Sequence, residues 1–191
     1  MSPEEVPEDA ALAARAAAGD ERAFAVLITR NKAGLYRFAR RYVGNAEDAY
    51  DIVQQSFIAA WRALGRYDPH RPFGPWLHAI ALNKCRDHAR RERVRRVLLI
   101  SEWGRAAETV HESTSSAEEQ WIAEAGLSAL DCAVAALPRA LKEPLILTAL
   151  EGLSQAEAGN RLGISTKAVE TRVARARRKL AAMLATTVHE G

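Results

Sequence analysis

The sequence predicts an all-α protein of two small helical domains joined by a linker, the C-terminal domain containing a helix-turn-helix. Apolar residues recur at helical spacing throughout, while the alternation typical of strands is nearly absent. Apolar residues make up 48% of the 191 residues but aromatic residues only 6%, which favours helices packed closely through small side chains. The net charge is +5 over residues 1–96, −5 over 97–126 and +3 over 127–191. Two basic segments separated by an acidic one predict two domains and a tether with these boundaries.

The N-terminal domain is predicted to be a succession of amphipathic helices. Asp9 can cap a helix that ends at Gly19, and Asp20 can cap the next. Two apolar stripes follow, the second stopped by Gly44, and a further helix spans about 46–64. The stripes are Phe24, Leu27 and Ile28; then Leu35, Phe38, Ala39 and Tyr42; and, on the last helix, Ala49, Ile52, Val53, Phe57, Ala60 and Trp61.

A proline-rich loop is predicted at residues 68–75, because three prolines there remove N–H donors and fix φ. Trp76 then opens a helix that runs into a basic tail ending at Arg96. Aromatic rings beside a basic helix suit single-stranded nucleic acid, since bases stack on the rings and cations follow the phosphates. A buried tryptophan and a solvated helix end are the alternative interpretations of the same residues.

The helix before this loop carries acids and amides beside its apolar stripe, including Glu47, Asp48 and Asp51. Acids early in a helix are favoured by the helix dipole, so solvated capping explains part of the pattern. The functional interpretation is a docking face for a basic partner.

The C-terminal domain is predicted to hold helices at 127–137, 140–150, 154–162 and 166–184. Ser154 and Glu157 match a capping box, Gly163 supplies a positive-φ turn and Ser165 caps the next helix. A short helix, a glycine turn and a second helix are typical of a helix-turn-helix, whose second helix reads the major groove. An ordinary helical hairpin with a basic face is the alternative. Val169, Val173, Ala176 and Leu180 are expected to be buried.

Both halves resemble the extracytoplasmic-function sigma factors of bacterial RNA polymerase, across most of residues 20–96 and 130–184. Two matching modules in the right order are more specific than either alone. The segments that carry the resemblance are 35–41, 45–62, 75–83, 136–138, 152–157 and 172–180.

The resemblance implies that the first domain docks on the β′ clamp helices of the polymerase core and captures the melted −10 promoter element. Family members usually carry an acid at the position of Gln55, so one charge-assisted contact is missing here. The implied docking residues are Asp48, Asp51, Gln54, Gln55, Phe57 and Trp61. The implied −10 residues, on and beside a loop that would hold a flipped base, are Asp68, His70, Arg71, Phe73, Trp76, Asn83, Arg86 and Arg90.

The second domain would read the −35 element as duplex DNA, with the β flap as a further polymerase contact. Relatives often carry basic or larger residues at the positions of Glu170 and Ala174. Because glutamate accepts from cytosine N4 whereas lysine or arginine favours guanine, an altered −35 preference is expected. The implied −35 residues are Ser165, Thr166, Lys167, Glu170, Thr171, Ala174, Arg175 and Arg178.

The acidic tether resembles the family's interdomain linker, which threads the RNA exit path. Family members are commonly held inactive by an anti-sigma factor that wraps both modules. The apolar patches at 97–100 and 121–122 either join such a contact or pack back onto their own domains.

No catalytic motif, cofactor or metal site is expected. The sequence has no phosphate-binding glycine loop and no nucleophile elbow. Cys85 and His88 lie three residues apart, but no matching second pair of zinc ligands accompanies them. The N-terminus lacks an apolar signal core, and no run approaches the roughly 18 to 20 apolar residues that span a bilayer. We therefore expect a cytoplasmic protein with no membrane insertion.

Two rival functions are open from the sequence. A transcriptional regulator would use the helix-turn-helix on duplex DNA without polymerase, which leaves the arginine-rich helix and the proline loop unexplained. A nucleic-acid enzyme would need an acid/base or metal cluster that the sequence does not contain.

Overall fold

The structure is a computed structural model that describes residues 8–102 and 129–189, with side chains for 8–95 and 130–185. Within those ranges every regular element is helical and no strand occurs, as predicted for an all-α protein. Residues 103–126 of the predicted tether lie outside the described residues, as do the side chains of the 97–100 patch.

Contacts group the chain into two compact units, residues 1–39 with 45–123 and residues 40–44 with 124–191. The described helices that begin in the first unit are α1 (Glu8–Ala17), α2 (Glu21–Val43), α3 (Ala46–Ala63) and α4 (Phe73–Glu102), with a 3₁₀ turn at Leu64–Arg66.

Two helix starts are capped by side chains, the first as predicted at Asp20 and the second at Asn45, where no cap was predicted from the sequence. Asp20 Oδ1 accepts from the Ala23 N–H at 3.1 Å at the start of α2, and Asn45 Oδ1 accepts from the Asp48 N–H at 2.8 Å at the start of α3. These caps satisfy N–H groups that have no partner inside a helix.

Two details of the early helices differ from prediction. Helix α1 begins at Glu8, so Asp9 lies inside the first turn, where it accepts from Arg30 Nη1 at 3.1 Å instead of capping. The two predicted stripes between residues 21 and 43 belong to one 23-residue helix, because no glycine turn or proline separates them.

Helix α4 is longer than predicted at both ends. Phe73, Gly74 and Pro75 form its first turn, although residues 68–75 were expected to be loop. Proline is tolerated there because N–H groups of the first turn have no helical partner. At the other end the helix continues past Arg96 to Glu102.

The core of the first unit lies where α3 packs on α4, while α1 packs on the 3₁₀ turn and on α4. Its fully buried side chains include Leu27, Leu35, Ile52, Leu77 and Leu82. Burying each such side chain contributes about 1.5–3 kcal/mol.

The second unit contains α5 (Ala129–Ala136), α6 (Arg139–Leu145), α7 (Gln155–Leu162) and α8 (Thr166–His189). A π-helical turn at Ile146–Leu150 continues α6, where one regular helix was expected. Pro144 has no N–H and its ring crowds the preceding turn, which disfavours regular α geometry at this point. Helices α5, α6 and α7 all pack on α8, whose predicted apolar residues Val169, Val173, Ala176 and Leu180 are all buried.

Candidate nucleic-acid and partner interfaces

Helix α3 presents an exposed row of side chains that we call the α3 face: Asp51, Gln54, Ile58 and Trp61. Their spacing of three, four and three residues places them on one side of the helix. Ile58 is 51% exposed and Trp61 is 38% exposed, with its ring 4.8 Å from that of Phe24. Asp51 makes no ion pair with any side chain that the structure describes. The face therefore combines a carboxylate and an amide with apolar surface.

Two residues predicted for docking lie elsewhere. Phe57 is only 6% exposed and packs edge-on against Phe24, with ring centroids 6.4 Å apart, so it supports the helix from the core. Gln55 is half-buried beside the α3 face. The sequence-based reasoning missed Ile58, whose signal was an apolar residue that falls outside the buried stripe.

Asp48 is engaged within its own unit. His88 Nε2 on α4 lies 3.0 Å from Asp48 Oδ2, and the Asn45 amide donates to the same carboxylate. These contacts link the start of α3 to α4. His88 thus faces a carboxylate, while Cys85, its neighbour in the metal interpretation, is fully buried.

Residues 67–72, the proline loop as the structure defines it, form a self-contained turn. The Arg71 N–H donates to the Asp68 carbonyl at 3.0 Å, and the His70 N–H donates to Asp68 Oδ1 at 3.0 Å. Pro69 occupies the second position of this turn, which its fixed φ suits. Asp68, His70 and Arg71 are all exposed, so the turn presents its polar side chains outward.

Three rings pack together at the base of the proline loop. Tyr67 lies 5.6 Å from Phe73 and 5.1 Å from Trp76, and Phe73 lies 5.5 Å from Trp76, between ring centroids. Phe73 is 1% exposed, so in this arrangement it offers no face to a base, contrary to the predicted stacking role. Trp76 is half-buried and keeps some accessible ring surface.

One side of α4, the α4 face, carries Trp76, Asn83, Arg86 and Arg90. Spacings of seven, three and four residues align these side chains. Arg86 Nη1 lies 3.4 Å from Asn83 Oδ1, and Arg90 Nη2 lies 2.7 Å from Asp87 Oδ1. An aromatic ring followed by an amide and two guanidinium groups matches what a single strand needs for stacking, base-edge contacts and charge neutralisation.

The helix-turn-helix forms as predicted. The Ser154 N–H donates to Glu157 Oε2 at 2.8 Å and the Glu157 N–H donates to Ser154 Oγ at 3.2 Å, which is the capping box. Hydrogen bonds from Ser154 hold the pKa of the Glu157 carboxyl below its usual value. Gly163 adopts φ 68° and ψ 35° at the turn, and Ser165 Oγ accepts from the Ala168 N–H at 3.2 Å to cap α8.

The outer side of α8 is exposed to solvent over its first half. Lys167 Nζ lies 2.8 Å from Glu170 Oε2, while Thr171 turns its hydroxyl back to the Lys167 carbonyl at 2.9 Å. The predicted −35 residues that the structure places on this surface are Ser165, Thr166, Lys167, Glu170, Thr171, Ala174, Arg175 and Arg178.

No helix among the described residues is long and apolar enough to span a membrane. Across the same residues, no group of three or more His, Cys, Asp or Glu side chains is arranged to hold a metal ion.

Comparisons with known proteins match both units separately. Residues 27–95 match the family model for Sigma-70 region 2, and residues 127–180 match that for Sigma-70, region 4. The RNA polymerase sigma factor CnrH of Cupriavidus metallidurans is 42% identical over 187 residues, covering 96% of this chain and 97% of that protein. The ECF RNA polymerase sigma factor SigM of Mycobacterium tuberculosis is 30% identical, covering 92% and 84% of the two chains.

A solved structure of CnrH in complex with the cytosolic domain of CnrY superposes with a TM-score of 0.63. It is 38% identical in sequence and covers 93% of this chain and 97% of that chain.

Proposed function

We propose a residue-level function for this chain, which belongs to the extracytoplasmic-function (ECF) family of RNA polymerase sigma factors. As a sigma factor it directs the polymerase core to promoters and takes part in transcription initiation. In our proposal the domain of residues 1–96 docks on the core and opens the −10 element, and the domain of residues 127–191 reads the −35 element, with 97–126 as the linker between them.

The alignment of side chains on the α4 face, beside the proline loop, supports this function most directly. A regulator that acts on duplex DNA through the helix-turn-helix alone has no use for a tryptophan, an amide and two arginines aligned on the first unit. In our proposal these side chains, with Asp68, His70 and Arg71, hold the unpaired −10 strand. Flipping a base costs a few kcal/mol of unstacking, which stacking and edge hydrogen bonds must return. Binding energy therefore drives opening, and we assign no bond chemistry to this chain.

The α3 face is assigned to the polymerase core, at the β′ clamp helices. Asp51 supplies the exposed charge, and Ile58 and Trp61 supply apolar contact area at the same surface. Asp48 has a supporting role, because its carboxylate already pairs with His88. The second unit is assigned to the −35 duplex and the β flap.

We also propose a cytoplasmic location and control by an anti-sigma protein that covers the two units. The similar protein CnrH was solved in complex with the cytosolic domain of CnrY, which supports both statements. Residues 103–126, which lie outside the described residues, are not needed for this proposal.

Reversing the charge of the α3 face tests the assignment. Asp51→Arg should weaken binding to the polymerase core at least about tenfold, since a like charge would face the basic partner surface. The measurements are gel filtration with purified bacterial core polymerase and run-off transcription. Glu21→Arg makes the same charge change at an exposed site on α2 and should bind as wild type does.

Wild-type binding by Asp51→Arg would contradict the docking assignment. Retention on duplex promoter DNA without core, combined with no core-dependent transcription, would instead support the regulator alternative.

A further inference from the structure

We propose that Tyr67 is a positioning residue that locks the proline loop in a preformed shape for the unpaired base. Its ring closes the three-ring cluster at the foot of the loop, and its hydroxyl donates to the carbonyl of Arg71 at the far end. The inference rests on the proposed −10 role of the loop and assigns a residue absent from the set implied by the family resemblance.

The ring of Tyr67 is fixed from two sides. Phe73 and Trp76 of α4 hold it at centroid distances of 5.6 and 5.1 Å. On the chain before the loop, the 3₁₀ turn at Leu64–Arg66 packs on α1, and the Tyr67 N–H donates to the Leu64 carbonyl at 3.0 Å. Tyr67 is only 8% exposed, so its hydroxyl is held by a ring that is packed on several sides.

The hydroxyl bond spans the whole loop. Tyr67 is the first residue of the proline loop (67–72), and Arg71, whose carbonyl accepts the hydrogen bond, is the last but one. Together with the two hydrogen bonds to Asp68, it fixes the backbone at both ends of the segment that carries His70 and Arg71. The Arg71 side chain is 81% exposed, with its Nε 3.4 Å from Asp68 Oδ2, so the fixed backbone holds a solvent-exposed guanidinium at the loop surface.

The protonation state of Tyr67 suits this donor role. Burial, followed by the negative charges of Asp68 and Asp9, raises the pKa of the Tyr67 hydroxyl above its usual value. The hydroxyl therefore keeps its proton throughout the physiological range and remains a donor to the Arg71 carbonyl.

A preformed loop affects discrimination more than general affinity. A flipped base must fit a pocket whose shape the loop backbone sets, whereas arginines attract any single strand through its phosphates. Loosening the loop adds an ordering cost to the specific complex alone. The hydroxyl of Tyr67 should therefore raise affinity for a cognate −10 strand and leave nonspecific binding unchanged.

Tyr67→Phe removes the hydroxyl and keeps the ring. The probes are two fluorescein-labelled single-stranded 12-mers: the −10 strand of a promoter selected by the wild-type protein with core polymerase, and a scrambled strand of the same composition. In the full-length variant, the Kd for the selected strand should rise about threefold to tenfold, the effect of one lost hydrogen bond. The Kd for the scrambled strand should stay as in wild type, and amide hydrogen exchange at residues 68–72 should accelerate.

Tyr50→Phe is the matched control, because it removes the hydroxyl of a second tyrosine of the same unit, which is half-buried, and it should leave both Kd values unchanged. Equal weakening of both strands by Tyr67→Phe would reduce Tyr67 to a general structural role and overturn the inference. The inference is also overturned if Tyr67→Phe distinguishes the two strands as the wild type does and amide hydrogen exchange at residues 68–72 is unchanged. A wild-type protein that does not distinguish the two strands would instead contradict the proposed −10 function itself.

Discussion

Glu170 and Lys167 meet on the exposed first half of α8, where their side chains form an ion pair of 2.8 Å. Both groups are largely exposed, and surface pairs of this kind contribute about 0–1 kcal/mol. DNA can therefore separate them at little cost. Once separated, the lysine is available to a phosphate and the carboxylate to a base edge.

We predict that Glu170 selects cytosine at one position of the −35 element, because its carboxylate accepts from cytosine N4. Glu170→Lys should shift that position toward guanine, with a discrimination of about 1–3 kcal/mol for one base contact. Sequencing of duplexes selected from a random pool by each protein measures the shift. Glu21→Lys adds the same charge to a different unit and should leave the selected sequence as it is; an unchanged −35 sequence for Glu170→Lys would remove its base-reading role.

The exposed residues of α8 were predictable because the buried residues Val169, Val173, Ala176 and Leu180 fix its orientation by spacing alone. Spacing also placed Phe57 on the apolar stripe of α3, where it is buried. The docking role that the family resemblance implied for Phe57 and the base contact implied for Phe73 do not fit the burial of these two rings. Each of the two rings packs against a ring from elsewhere in the chain, Phe24 or Tyr67. Such contacts depend on tertiary packing, which no local pattern encodes.

At the scale of elements, capping residues, glycines and prolines predicted most helix boundaries. Gly163 and the Ser154–Glu157 box act locally, so sequence alone placed them correctly. Pro75 misled the prediction, since proline ends a helix in its interior but is accepted in its first turn. The π turn after Pro144 was not predicted. A proline inside a helix normally ends or kinks it, whereas here the chain stays helical through Pro144 and changes to π geometry in the next turn.

The helix-turn-helix depends on a close backbone approach at Gly159 in α7. A Cβ there would lie 2.8 Å from the Ile164 carbonyl oxygen, and a backbone atom cannot move aside cheaply. We expect Gly159→Ala to destabilise the second unit by about 1–3 kcal/mol and to weaken −35 duplex binding. Urea unfolding followed by circular dichroism measures the first effect.

Gly34 in α2 provides the matched control for this substitution. It is also a helical glycine, but a Cβ there meets nothing within 4 Å. Gly34→Ala should therefore stabilise the protein by up to about 1 kcal/mol through helix propensity. The steric account of the turn is wrong if both substitutions stabilise equally.

At the scale of the whole molecule, a net charge of only +3 conceals strong segregation, because the acidic excess is concentrated in residues 97–126. Each of the two flanking segments is basic. The salt dependence of promoter binding should therefore follow the number of phosphates that the two units contact. It should be steeper than the small total charge of the chain suggests.

Arg178 offers a test of this charge arrangement, since it is exposed on α8 and makes no ion pair within the described residues. If its guanidinium neutralises one duplex phosphate, Arg178→Ala should reduce the slope of log K against log salt concentration by about 0.9. Fluorescence anisotropy of a labelled −35 duplex between about 50 and 200 mM salt measures that slope. Arg15→Ala removes an arginine paired with Asp20 at 2.7 Å on the first unit and should leave the slope unchanged. Equal slopes for Arg178→Ala and the wild type would show that this side of α8 does not lie against the DNA backbone.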